Sequence, residues 1–410
     1  MKRIIILMII MINITIYSQF QNYIYIGTDI KYENRIKNDY KPSHGWYENQ
    51  WINDSILRDY SVYNAKLISI GFKSQYDKKF YAQFIADLRL SETAYYNYKN
   101  YNIYNLKDIT YISLDFPTNS YLNYKEKNYE ITLGRTKIKS GNLIYPITLS
   151  NNAPYYDNLN IKIKLNKINY QMTFISSFPF LSKQEYEYKF SKGNFSAYRN
   201  DIFQKIYHED QNFEYALQIL NHIAGRLPSP LDIVKSETGL LSTYIKYKTF
   251  INMYAEYTIN YSNLKSSFAF GMNKTFDILN LQITPTIEYY NISKNIYHDE
   301  DPYKQLYYRG FSLSNTPPAR LMFNYPFGFK YGEDSNMIAM NLNIENKNLK
   351  ISIQYDNGKN KEGKINNLNL NTYIKLKYGD IKLSYINLNL NEKHQNILSI
   401  HYIFDLDIQL

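Results

Sequence analysis

The chain has 410 residues, no cysteine, 6 histidines and 46 tyrosines, with a net charge of +10. Disulfide scaffolds, thiolate metal sites and cysteine nucleophiles are excluded by that composition. The basic balance is compatible with nucleic acid or an acidic polymer, but the lysines are spread along alternating segments rather than grouped, so nucleic acid is not an expected partner.

Residues 1–18 read as an export signal. Met1-Lys2-Arg3 precedes an apolar run from Ile4 to Tyr17, interrupted at Asn13. Two positive charges before about 14 apolar residues fit a secretory leader, and the run is short of the roughly 20 residues a spanning helix needs. Segment 19–60 is set apart as an N-terminal piece, either periplasmic or inserted into a lumen. Its part 33–60 lacks alternation and holds Gly45-Trp46-Tyr47 and Trp51.

From residue 61 to 410 the dominant signal is period-2 alternation. Leu159, Ile161, Ile163 and Leu165 share one face, with Asn160, Lys162 and Lys164 on the other. Segments 338–344 and 349–356 repeat the pattern. Such alternation means a sheet with one apolar and one polar face. Strands of membrane-crossing length are predicted at 62–74, 78–91, 126–138, 157–166, 168–178, 249–262, 278–292, 367–378 and 397–410. Segment 200–222 fits a helix face through Ile202, Phe203, Ile206 and Tyr207, but alternates from 211 on, where strands are preferred. The stretches 225–232 and 314–326 carry prolines and read as loops.

The last strand runs to Leu410 with Leu398, Ile400, Tyr402, Phe404, Leu406 and Ile408 on one face. The fold class predicted is all-β: a closed antiparallel transmembrane β-barrel of about 16–18 strands in the outer membrane. In lipid every backbone polar group must be satisfied, so a sheet spans only if it closes. Placing the C-terminus in the periplasm puts 391–396 and 357–366 outside, and 379–380 and 345–348 inside, with longer loops outside as barrels require. Ile381 and Leu383 are out of phase with Ile386, Leu388 and Leu390, for which a bulge or a wrong register is the expected cause. Tyr355, Tyr378, Tyr261, Tyr289 and Tyr290 fall near strand ends. They fit interfacial girdles and, equally, plain β-propensity.

Two stretches stand out. One is Leu133-Gly134-Arg135, a turn through Lys139-Ser140-Gly141, then Leu149-Ser150-Asn151-Asn152-Ala153-Pro154. The other is Tyr325-Pro326-Phe327-Gly328-Phe329 through Gly332-Glu333-Asp334-Ser335. Together they resemble the Wzi-like family of capsule assembly outer-membrane proteins, with Phe329 and Glu333 departing from the family pattern. The resemblance implies a barrel of about 18 strands with inner elements that narrow the lumen. It also implies a lectin-like, non-catalytic role in retaining exported surface polysaccharide.

The ligand-binding candidates are Arg135, Lys139, Ser150, Asn151, Asn152, Arg226 and Asp334. Each has a structural alternative. Arg135 fits a lumen-facing ion pair, and 150–152 a turn bonded to its own backbone. The Gly225–Pro230 loop fits a rigid connector. Asp299, Glu300 and Asp301 form an acidic loop read as solvated rather than cation-binding. No histidine sits in a GxSxG-like context, and His401 with Asp405 and Asp407 lies near the periplasmic end of the last strand, so no catalysis is expected. No cofactor or metal is called for. The partners expected are surface polysaccharide and outer-membrane lipid, with the chain a monomer. The alternative function is a general diffusion porin, and a third reading is an adhesin.

Overall fold

The computed structural model describes residues 20–39, 66–89, 100–101, 111–112, 119–153, 155–177, 181, 183–191, 198–234, 236–313, 320–390 and 393–410. The predicted leader, 1–18, lies outside the described residues.

The strands in chain order are β1 (Gln21–Asn38), β2 (Lys66–Tyr76), β3 (Phe80–Arg89), β4 (Asn100–Tyr101), β5 (Tyr111–Ile112), β6 (Asn119–Lys125), β7 (Tyr129–Thr136), β8 (Tyr156–Leu165) and β9 (Ile168–Ser176). A short helix, α1 (Lys183–Ser191), precedes β10 (Arg199–Glu209), β11 (Phe213–Ala224), β12 (Thr238–Tyr247), β13 (Asn252–Asn260), β14 (Ser266–Asn273), β15 (Phe276–Ile278) and β16 (Leu281–Ile292). Then come β17 (Tyr307–Leu313), β18 (Arg320–Pro326), β19 (Ser335–Glu345), β20 (Leu349–Asn360), β21 (Gly363–Leu376), β22 (Gly379–Leu390) and β23 (Lys393–Gln409).

One 21-stranded sheet holds all of these except the β17–β18 hairpin. β4 and β5 are two-residue pieces, and β15 continues β14 against β16. Eighteen strands therefore form the ring, and β1 pairs antiparallel with β23 from Tyr23–Gln409 to Asn38–Gln395, which closes it. Closure leaves no sheet edge. The chain enters the ring at Gln21, inside the 19–60 stretch set apart in the sequence.

Loop lengths are asymmetric. At the end that holds Gln21 and Gln409, the connections are 77–79, 126–128, 166–167, 210–212, 248–251, 279–280, 346–348 and 377–378. The opposite end carries the connections 39–65, 90–118, 137–155, 177–198, 225–237, 261–265 and 293–334. Its connections at 361–362 and 391–392 are short, because β20, β21 and β23 run further than alternation shows. Segment 200–209 is a strand and not a helix: Ile206 is half exposed on the outer face while Phe203 is fully buried on the inner one. Arg320–Pro326, read as loop, is one arm of the β17–β18 hairpin.

The outer face is apolar. Leu217, Ile245, Phe268, Ile338 and Ile400 are exposed there. The phase change in β22 has no bulge, since its pairing with β21 and β23 is continuous. Leu383 faces out, whereas Ile386, Leu388 and Leu390 turn inward with Ile365 and Ile397 and are buried. Above the apolar band the outside of the wall meets water and its inside meets packed protein, so the pattern inverts with no change of register. Of the tyrosines proposed as girdle, Tyr378 is exposed at a short turn, whereas Tyr290 is fully buried inside the ring.

Candidate functional site: a bridge across the lumen

Residues 137–155 leave the outer end of β7 and fold into the barrel. The Ser140 N–H donates to the Leu149 carbonyl at 2.8 Å and closes the segment into a loop. Leu143, Ile147 and Leu149 on it are fully buried. An inward loop buries backbone amides that need acceptors, and the wall supplies carboxylates. Glu256 on β13 accepts from Ile147 N–H (3.0 Å), Thr148 N–H (2.9 Å) and the Thr148 hydroxyl (2.7 Å). Glu288 on β16 accepts from Ile144 N–H (2.8 Å) and the Tyr254 hydroxyl (2.6 Å). Asp356 on β20 accepts the Tyr145 hydroxyl (2.7 Å) and the Tyr331 hydroxyl (2.6 Å).

On the near side, Lys205 of β10 donates to the Ser140 carbonyl at 3.1 Å, and Asn142 donates to the Tyr244 hydroxyl of β12 at 2.9 Å. The loop thus starts at β7 and reaches β20 on the far side of the ring. Hydrogen bonds to charged acceptors contribute roughly 1.5–3 kcal/mol each, so these acids hold the loop firmly. An aromatic cluster of Tyr145, Tyr290, Phe329 and Tyr331, with ring centroids 4.7–6.1 Å apart, packs around its tip.

A second inward segment, 327–334, lies against the first. Ser150 N–H donates to the Phe327 carbonyl at 2.6 Å, and Ser150 Oγ and Asn152 Nδ2 both donate to the Gly328 carbonyl. Tyr297 Oη donates to the Ile147 carbonyl and accepts from Phe329 N–H at 2.7 Å. The two stretches singled out in the sequence therefore meet inside the barrel, through each other's backbone.

The seven candidates do not converge. Ser150 and Asn152 fasten the two inward segments, and Asn151 beside them is exposed. Lys139 keeps contact with water, yet the enclosing barrel holds its ammonium below the ordinary lysine value, with Glu288 and Glu256 opposing. Arg135 pairs with Asp157 at 2.7 Å, but on the outward face of Leu133 and Leu159, not in the lumen. Arg226 pairs with Asp232 in the 225–237 loop. Asp334 is exposed and donates its N–H to the Ser293 carbonyl at 3.3 Å. In the acidic loop, Asp301 caps a turn by accepting Tyr303 N–H at 2.8 Å.

On the short-turn side of the bridge the inner wall is polar and partly exposed, with Lys73, Gln83, Asn123, Lys162, Asn371 and Lys382. Lys73 meets Asp407 at 2.8 Å. His401 does not engage Asp405 or Asp407. It hydrogen-bonds Asp29 and Ser399, both at 2.9 Å, and all three are buried in the wall.

The bridging acids and tyrosines were not picked out from the sequence. Each of Glu256, Glu288 and Asp356 is an acid on the polar face of an alternating strand, where many polar residues sit. Their signal was that parity, without a partner to distinguish them.

No protein-family model matches the chain, and no curated protein matches it. Solved structures do. Pseudomonas aeruginosa OccK3 (OpdO) superposes with a TM-score of 0.50 at 9% identity, over 94% of this chain and 96% of that one. Pseudomonas aeruginosa OccK5 (OpdH) gives 0.49 at 8% identity, over 96% and 99%. Acinetobacter baumannii OccAB4 gives 0.48 at 8% identity, over 95% and 98%. At this identity the likeness shows the fold.

The superposition on OccK3 (OpdO) overturns the resemblance to Wzi-like capsule assembly proteins together with the polysaccharide-retaining role drawn from it. The physical reason lies in the two motif stretches. Their small and polar residues follow the needs of an inward loop docking on its neighbour, so the pattern that carried the resemblance is one of barrel interior packing. The protein is a closed eighteen-stranded outer-membrane β-barrel with an inward-folded loop spanning its lumen.

Proposed function

We propose that the chain is a diffusion channel of the outer membrane, through which small hydrophilic solutes cross a narrowed lumen. The observation that supports this reading is the bridge: residues 137–155 cross the barrel interior on three wall carboxylates rather than standing outside as a display surface. A loop held across a wet barrel limits the size of what passes, and the charged groups beside it select by sign. Lys139, placed on the bridge and in contact with water, is the cation we assign to that role.

Liposome swelling tests it. Vesicles containing the purified barrel should swell with small sugars and amino acids at rates that fall steeply with solute size. Swelling no faster than in protein-free vesicles would overturn the channel reading.

A further inference from the structure

The β11–β12 loop, 225–237, is held on the outside of the barrel. The residues that hold it share the outward face of their strands. On β11, Asn221 lies in phase with the exposed Leu217 and Tyr215, and on β10, Gln204 lies in phase with the exposed Ile206. Asn221 Nδ2 donates to the carbonyls of Asp232 (2.6 Å) and Ile233 (3.2 Å), and Gln204 Nε2 donates to the Ile233 carbonyl. Tyr261, at the end of β13, donates its hydroxyl to Asn221 Oδ1 at 2.8 Å and meets Ser236 Oγ at 2.9 Å. Between them stands Gly239 of β12. A β-carbon there would come within 2.4 Å of Tyr261 Oη and 2.2 Å of the Leu220 carbonyl, so glycine leaves the gap through which Tyr261 reaches across.

The loop is itself stiff. Asp232 accepts both guanidinium nitrogens of Arg226 (2.7 and 2.5 Å) and the N–H of Ser229 (2.6 Å). Pro228 and Pro230 limit its backbone further. Its polar groups thus close on each other and on the wall. Its large apolar side chains do the reverse: Leu227, Leu231 and Val234 are 66%, 79% and 75% exposed.

The depth of the loop says what covers them. Asn221 lies eight residues above Phe213, which is exposed at the short-turn end beside Tyr247. At about 3.3 Å per residue and a tilt of about 40°, that is a height of about 20 Å, within the roughly 25 Å apolar band of such barrels. The exposed leucines and valine continue the lipid-facing surface of Leu217, Leu241 and Ile245. We infer that loop 225–237 is a lateral ledge that inserts Leu227, Leu231 and Val234 among the acyl chains of the outer leaflet and fixes the barrel's depth there. Burial of three such side chains among acyl chains holds the barrel's level against vertical movement.

The chain has no cysteine, so single-cysteine reporters are clean. Leu231→Cys and, independently, Val234→Cys should be labelled with a fluorophore in the full chain reconstituted in phosphatidylcholine vesicles. Leu217→Cys serves as the lipid-facing reference and Leu264→Cys, in the outer loop 261–265, as the aqueous one. The expected result is loss of emission with acyl-chain nitroxide lipids at both ledge positions, matching Leu217→Cys, and little loss with aqueous iodide. Quenching by iodide that matches Leu264→Cys would overturn the ledge. So would protection from both quenchers that disappears on dilution into more lipid, which would mean that a second copy covers the loop.

Discussion

Gly328 has no room for a side chain. A β-carbon would fall 1.6 Å from the Ile147 carbonyl and 2.3 Å from Tyr297 Oη. The clash is with backbone, which has nowhere to retreat. Gly328→Ala should therefore separate the two inward segments and lower stability by about 2–4 kcal/mol, in line with overpacking of a buried site. Thermal unfolding in detergent, read by the mobility shift between folded and unfolded barrel, checks this, and an unchanged midpoint would contradict it. Glu256 makes the complementary case. It gathers two backbone amides and one hydroxyl from the bridge. Glu256→Gln keeps the shape but replaces charged acceptors with one neutral carbonyl, and leaves buried amides short of a partner. The expected cost is on the order of 2 kcal/mol, with faster amide exchange at Ile147 and Thr148 than at the wall strands.

At the scale of elements, strands and loops differ in how plainly they show in the sequence. The nine predicted strands all have counterparts, because one apolar and one polar face leave a period-2 trace. β1 was missed, since its inner face alternates acid and base (Asp29, Lys31, Glu33, Arg35) and its outer face mixes Ile30 and Ile36 with Tyr32 and Asn34. The bridge loop has no period, and its small and polar residues were what carried the resemblance now overturned. Its carboxylate partners lie more than a hundred residues away in the chain, and a single sequence carries no trace of such pairing. The ledge loop yields a prediction at this scale. Asp232 ties Arg226 and Ser229 together, so Asp232→Asn should loosen the loop by about 1 kcal/mol, or roughly fivefold faster amide exchange in 229–234. Unchanged exchange there would contradict this assignment.

For the whole molecule, closure and content follow different rules. Closure is imposed by lipid: eighteen strands whose last pairs with the first satisfy every ladder and turn apolar side chains outward. Content is imposed by the three wall acids, which turn an otherwise open cylinder into a bridged one. The barrel was legible because the bilayer enforces a pattern on each strand separately. The lumen was not, because its contents depend on which strands face one another across the ring.

Single-channel conductance in a planar bilayer, comparing the native chain with Glu256→Gln/Glu288→Gln, tests the bridge as the element that limits passage. The native barrel should give small, steady openings. The double variant, confirmed as folded by its mobility in detergent, should give larger and noisier ones as the bridge leaves the wall. Equal conductance in the two, or no conductance in either, would contradict the account.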